Sequence, residues 1–375
     1  MRLIYFVNAR IPTEKAYGFA ISKICEKFAN LGYEVVLVLP KYRKKDKEDI
    51  YKYYGIKNNF KIKKVFNINL IGKFEFFHKF FFLLQNFSFL ISSLFVKIKK
   101  DDLIYLRNIE GLLFWPWKTK NVFLEIHFLS KKDKFFLFLI KRAKKIIVIT
   151  RKLKDRLIDY GISEKKILVV PDGVDLEEFS IKESQKECRL KLDLPLDKKI
   201  ILYNGNMYPW KGAHILAEAG KYLDNNYQIV FVGGSEYEIK EFRSKFSDQE
   251  NISIVGYKHH WQMPYWLKAA DIFSLPNSGK EDISKYWTSP LKMFEFMAVK
   301  RPIIASNLPS LREILNKKNS FLVKPDNPEE IAKAIKFLLN NSDFSANLSE
   351  QAFNDVKKYT WLGRADKIIK FIKER

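Results

Sequence analysis

Apolar residues in this chain fall into short runs of four to six, separated by stretches where they recur every three or four positions. The first run, RLIYFVN, is a strand; a loop containing Gly18 follows, then a helix from about Ala20 to Ala29, closed by Leu31-Gly32. EVVLVLP is the next strand, and a βαβ opening predicts a parallel sheet with helices on both faces. KIKKVFNI, DLIYL, VFLEIHF, KIIVIT and ILVVP supply further strands, and the turn-rich PDGVD marks a domain boundary. The second half repeats the pattern with KKIILYNG, YQIVFVGG, NISIVGY, DIFSLP, PIIAS and SFLVKP, helices between them, and two helical segments at the end. The predicted class is α/β, with two Rossmann-like parallel-sheet domains over 1–175 (joined by 355–375) and 176–354. Two such sheets bind ligands at the carboxyl ends of their strands, in a cleft between the domains.

A chain of 375 residues that is 47% hydrophobic is long enough for two domains with cores and is not a disordered chain. Its charge is lopsided: residues 1–172 hold 36 Lys and Arg against 16 Asp and Glu, so +20 of the net +24 lies in the first half. KYRKKDK (41–47), KIKK (61–64 and 97–100) and KRAKK (141–145) concentrate it. Two readings stand, lysines that keep the surface soluble or a face turned to an anionic membrane or polyanion. Two cysteines, Cys25 and Cys188, form no disulfide framework or metal pattern, as expected in a reducing cytosol. The opening MRLIYFVNARIP has too short an apolar run for a signal peptide. FFFLLQNFSFLISSLFV, residues 80–96, is uncharged but short and polar for a spanning helix, so a buried or membrane-resting helix is expected.

The chemistry concentrates in YNGNMYPWKGAHIL (203–216), a strand end, a turn-rich loop and a helix start. Gly205 and Gly212 free the backbone to approach a ligand, and the exposed N–H groups of a helix beginning near Gly212 favour an anion. Lys211 sits beside that positive helix end, an arrangement repulsive by about 0.3–1 kcal/mol until an anion arrives. A lysine packed along Trp210 with its head in water is the alternative. No GxGxxG fingerprint or Walker lysine motif is present. In TSPLKMFEFMA (288–298), Ser289 is a good N-cap and Pro290 suits the first helical position, with Leu291 and Lys292 completing a second anion-favouring turn. Glu295 lies one turn further along that face, within reach of a sugar whose phosphates cap the helix; a surface glutamate is the alternative. His127, in LEIHFL (124–129), ends a strand of the first domain, as a cleft-facing residue or a structural histidine.

The order of these motifs resembles the retaining GT-B glycosyltransferases of family 4. ARIPTEKAYGFAISKICEKFANLGYEVVLV is similar to their N-terminal glycine loop and first helix, and VVPDGVDLEEF to their interdomain segment. GNMYPWKG is similar to their phosphate loop, and SPLKMFEFMAVKRPIIASNLPSLREIL to their donor-binding helix and the strand after it. The resemblance runs almost end to end. It implies that Lys211 contacts the diphosphate of a nucleotide-sugar donor, with the backbone around Ser289 to Lys292 and around Gly18. It implies that Glu295 holds the ribose hydroxyls, that His127 touches the transferred sugar or lines the reacting face, and that the last helix crosses back to the first domain. Gly205, Asn206 and Tyr257 belong to the expected donor site. Two positions depart from the family pattern: Asn206 stands where many members have arginine, and Trp287 where many have the first of two glutamates eight apart.

The implied reaction is sugar transfer to a hydroxyl of a glycan or lipid-linked glycan with retention, in cell-surface polysaccharide or glycoconjugate synthesis. No Asp-x-Asp motif is present, so neither a metal nor another cofactor is expected. The expected place is the cytoplasm or the inner face of the membrane, with no nucleic-acid partner, since no such binding motif is found. A GT-B epimerase or hydrolase, or a non-catalytic nucleotide-sugar-binding partner of another transferase, are the alternatives.

Overall fold

The structure, a computed structural model, describes residues 1–42, 48–69, 78–129 and 134–374. Most of the 41–47 basic cluster therefore lies outside the described residues. The chain divides into two compact units, Met1–Val170 with Arg364–Arg375, and Pro171–Gly363.

The first unit is built on seven strands: β1 (Arg2–Phe6), β2 (Glu34–Pro40), β3 (Lys61–Val65), β4 (Leu103–Leu106), β5 (Val122–Ile126), β6 (Lys145–Val148) and β7 (Ile167–Val169). They form one parallel sheet in the order β3-β2-β1-β4-β5-β6-β7. The strand candidates read from the sequence all appear. β4 and β5 are buried along their whole length, as expected of strands covered on both faces. The first helix starts earlier than the pattern predicts: it spans Ala16–Asn30, so Gly18 lies in its first turn rather than in a loop. A side chain at Gly18 would collide with the Tyr54 hydroxyl, 2.1 Å from the Cβ position, and the Gly18 N–H donates to the Lys15 carbonyl.

The second unit holds β8 (Lys199–Asn204), β9 (Tyr227–Val232), β10 (Ile252–Gly256), β11 (Ile272–Leu275), β12 (Ile303–Ser306) and β13 (Phe321–Val323). They pair in parallel in the order β10-β9-β8-β11-β12-β13. The order reverses direction between β8 and β11, which makes the ends of those two strands the switch point where such sheets bind ligands. The Leu291–Ala298 helix packs Phe294, Phe296 and Met297 into the core, with the Phe296 ring stacked on Phe273 at 4.3 Å. Each such buried side chain contributes about 1.5–3 kcal/mol, which fixes where the first turn of this helix points. Three helices rather than two close the chain: Pro328–Asn340, Ser342–Val356 and Trp361–Lys373. The last begins in the second unit, and from Arg364 onward its residues belong to the first.

Candidate functional site

Two segments converge at the β8/β11 switch point. After β8, Gly205 turns the chain with φ +125° and a short 3-10 turn carries Pro209–Lys211; the Ala213–Ala219 helix begins after Gly212. Gly212 has φ +73°, and a Cβ there would stand 1.8 Å from the carbonyl oxygen of Pro276, just past β11. Only glycine permits both the left-handed conformation and that approach. The Ser278 N–H donates to the Trp210 carbonyl at 3.0 Å and ties the two loops together.

Lys211 is half-buried, its ammonium between the rings of Tyr208 and Trp210 at 5.2 and 5.3 Å. Its Nζ donates to Asn206 Oδ1 at 3.4 Å. Burial lowers its pKa to about 8, with Glu238 acting in the opposite direction. Both readings of the sequence are thus partly realised: the lysine packs against aromatic rings, yet it is its ammonium that lies over them, part-buried.

Lys292 is more unusual. The residue is 9% exposed and its Nζ has no hydrogen-bond partner. The ammonium lies 3.7 Å from the centre of the Tyr203 ring, close to Gly205. Burial, and then the charge of Lys211, push its pKa well below the usual lysine range, while Glu295 opposes them. A buried amine without an acceptor is costly, by about 1–3 kcal/mol for the missing bond alone. An anion supplying acceptor oxygens between Lys211 and Lys292 would remove that cost and the repulsion together.

Glu295 is 5% exposed, which excludes the surface-glutamate alternative. Oε1 is 3.0 Å from His260 Nε2, and Oε2 accepts from Asn204 Nδ2 at 3.4 Å. These two partners fix the carboxylate one turn beyond Lys292. Neither stands out in the sequence, because His260 comes from the loop after β10 and Asn204 from the end of β8, distant along the chain.

The helix start differs from the expected one. The helix begins at Leu291, Pro290 holds the N-cap position with an extended backbone, and no side chain caps the first turn. Ser289 is not the cap: its hydroxyl accepts from the Asp172 N–H at 3.4 Å instead. Tyr257 follows β10, 39% exposed, with its ring edge-on to His259. Trp287 ends a turn of π-helix at Ile283–Trp287.

Lys211, Lys292, Glu295, Gly205 and Asn206 therefore come together in the second unit, while Gly18 and His127 belong to the first. There, His127 Nε2 is hydrogen-bonded to Glu125, which also accepts from Tyr105 Oη at 2.6 Å and Arg364 Nη2 at 2.7 Å. Burial would raise the Glu125 pKa, but Arg364, His127 and Arg107 outweigh it and hold the carboxyl well below its usual range. Glu125 is thus the hub that seats His127, a role the alternating strand pattern does not reveal. Among the described residues no group of three His, Cys, Asp or Glu side chains is placed to hold a metal ion.

Comparison with solved structures defines the class. The chain superposes over its full length on the Anabaena protein HepE in complex with UDP and glucose, with a TM-score of 0.78 at 14% identity and 100% of both chains covered. Sucrose-phosphate synthase from Thermosynechococcus elongatus gives 0.79 at 17% identity, over 99% of this chain and 98% of that one. This is the GT-B fold of two Rossmann-like domains. Residues 20–178 match the model of Glycosyltransferase Family 4 and residues 198–341 that of Glycosyl transferases group 1, and the chain belongs to this family. Among curated relatives, the putative teichuronic acid biosynthesis glycosyltransferase TuaC of Bacillus subtilis is 26% identical over 56% of this chain and 50% of that protein. A UDP-Gal:alpha-D-GlcNAc-diphosphoundecaprenol alpha-1,3-galactosyltransferase of Escherichia coli is 26% identical over 67% of this chain and 65% of that protein. The chain spans about half the length of the first curated relatives it matches.

Proposed function

We propose that the protein transfers a sugar from a nucleotide-diphosphate sugar to a hydroxyl of a glycan or lipid-linked glycan, at the cytoplasmic side of the membrane, with retention of anomeric configuration. The observation that carries this is the buried Lys292 ammonium, with no hydrogen-bond partner, beside Lys211 at an uncapped helix start. Two cations drawn inward at one helix start support a diphosphate there, and the fixing of Glu295 by His260 and Asn204 supports reading it as the partner of the ribose hydroxyls.

In this reading the bond between the sugar C1 and the β-phosphate oxygen breaks and its electron pair leaves with the nucleoside diphosphate. The two lysines stabilise the charge that develops on the departing phosphate. The acceptor oxygen bonds C1 on the face the phosphate leaves, and its proton passes to a phosphate oxygen. Protein cations meet the charge, so the reaction needs no divalent ion. His127 is the proposed contact to the sugar. The E. coli relative's printed activity, on a diphosphoundecaprenol-linked sugar, supports a lipid-linked acceptor here.

The test is transfer from a panel of UDP- and GDP-sugars to lipid-linked acceptors in EDTA, with the product anomer assigned by NMR. Retained configuration and a loss of about 10²-fold or more in Lys211→Ala are expected. An inverted product, strict metal dependence, or near-wild-type transfer by a folded Lys211→Ala protein would overturn the reading. Donor binding without transfer would make it a non-catalytic partner.

A further inference from the structure

The His78–Leu94 helix leaves a row of large apolar side chains in solvent. Its inward face is mixed: Phe89 and Leu90 are buried, Gln85 donates to Tyr42 Oη at 2.8 Å, Ser88 accepts from the Ile68 N–H at 2.9 Å, and Asn86 accepts from Asn8 Nδ2 at 2.6 Å. Its outward face carries Phe80, Leu83, Phe87 and Ile91, all exposed and spaced three, four and four residues apart, which is one stripe of a helix. Phe95 continues the stripe at 81% exposure. Among the described residues none buries this face.

The carboxyl-terminal end of the stripe is mainly basic, with the exposed Asp101 among its lysines. Lys118 Nζ donates to the Leu94 carbonyl at 2.7 Å, which brings the neighbouring Trp117, 76% exposed, to the same end of the helix. The Arg142 guanidinium lies 5.1 Å from the Trp117 ring. Lys97, Lys99 and Lys100 follow Phe95 directly, all exposed. An uncharged aromatic stripe edged by lysines, with an exposed tryptophan at its end, has the composition of a surface that lies in the headgroup region of an anionic bilayer. Among the described residues no helix is long and apolar enough to cross a membrane, so the contact is with one leaflet.

We infer that the protein docks on anionic membranes through the outward face of the His78–Leu94 helix, with Phe95 and Trp117 in the headgroup layer and Lys97, Lys99, Lys100 and Lys118 against lipid phosphates. A protein partner would also cover an apolar stripe; the fringe of like charge favours a polyanionic sheet over a second copy of this chain, whose matching face would bring lysines together. This surface belongs to the first unit and its argument uses none of the donor-site residues.

The test is co-sedimentation of the full chain with phosphatidylcholine vesicles, with and without about one third phosphatidylglycerol. The wild-type protein is expected to pellet with the anionic vesicles, to lose binding by about ten-fold or more in Phe87→Glu/Ile91→Glu, and by about five-fold per lysine in Lys97→Ala and Lys99→Ala. Both changes are at exposed positions, and circular dichroism checks the fold. Raising the salt concentration should weaken but not abolish pelleting, as the stripe is not screened. Failure of the wild-type protein to pellet, or equal pelleting of the Glu variant, would overturn the proposal. So would a concentration-dependent dimer or a co-purifying protein lost in the same variant, since the face would then be a protein interface. Vesicle binding should survive Lys211→Ala, so failure here and failure of the donor reading are told apart.

Discussion

At the scale of single residues, the account rests on two amines held out of water. Lys292 has neither a carboxylate nor a carbonyl in hydrogen-bond reach, so the unliganded protein bears its cost. Lys292→Met keeps the stem and removes the head. It should stabilise the unliganded protein by about 1–3 kcal/mol while weakening UDP or GDP binding at least ten-fold. Paired melting curves with and without nucleotide check both directions: a higher melting temperature alone, but a smaller ligand-induced shift. A drop in melting temperature would mean the amine has a partner. Lys211 and Lys292 stand out in the sequence because a lysine beside a helix start is locally unfavourable, and Glu295 because it follows Lys292 by about one turn. His260 and Asn204 were not, because their only signal is proximity to Glu295, which the chain acquires on folding. Asn206 shows a similar limit. Its side chain accepts from Lys211 Nζ through Oδ1, a contact the residue type alone does not announce.

At the scale of elements, the strands among the described residues were readable, most as continuous apolar runs bounded by turns and the edge strand β3 by its alternation. Helix starts were less so. Ser289 reads as a cap by residue type, but the competing N–H of Asp172 claims its hydroxyl. Ala16 and Tyr17 extend the first helix over Gly18, whose presence reflects the packing of Tyr54 and not loop freedom. The join between the β8 loop and the β11 loop depends on Gly212. Gly212→Ala should cost about 2–4 kcal/mol, from the left-handed backbone and from displacing the Pro276 carbonyl. Gly32→Ala is the control: its φ is +85° but nothing lies within 4 Å, so only the backbone term applies, about 1 kcal/mol. Urea denaturation of both variants separates the terms; equal losses would show that the contact with Pro276 is soft.

At the scale of the whole molecule, the charge is divided by role. The first half carries +20 of +24 and the exposed aromatic stripe, while the second half is near neutral and draws Lys292 and Lys211 inward at one site. That placement has a signature in pH. The pKa of Lys211 is about 8 in the folded protein against about 10.4 in an unfolded chain, so the folded state binds fewer protons between those values. Its contribution to stability therefore rises with pH across that window, and the penalty is full below about pH 8. A bound diphosphate favours the charged amine and reverses the shift, so binding near pH 8 to 9 draws protons from the buffer. The most direct measurement is isothermal titration calorimetry of UDP, with GDP in parallel, in two buffers of different ionisation enthalpy at pH 8.5. The account predicts saturable binding of one nucleotide per chain with net proton uptake, both lost in Lys211→Ala/Lys292→Ala. Binding without proton uptake, or binding that survives the double substitution, would contradict it.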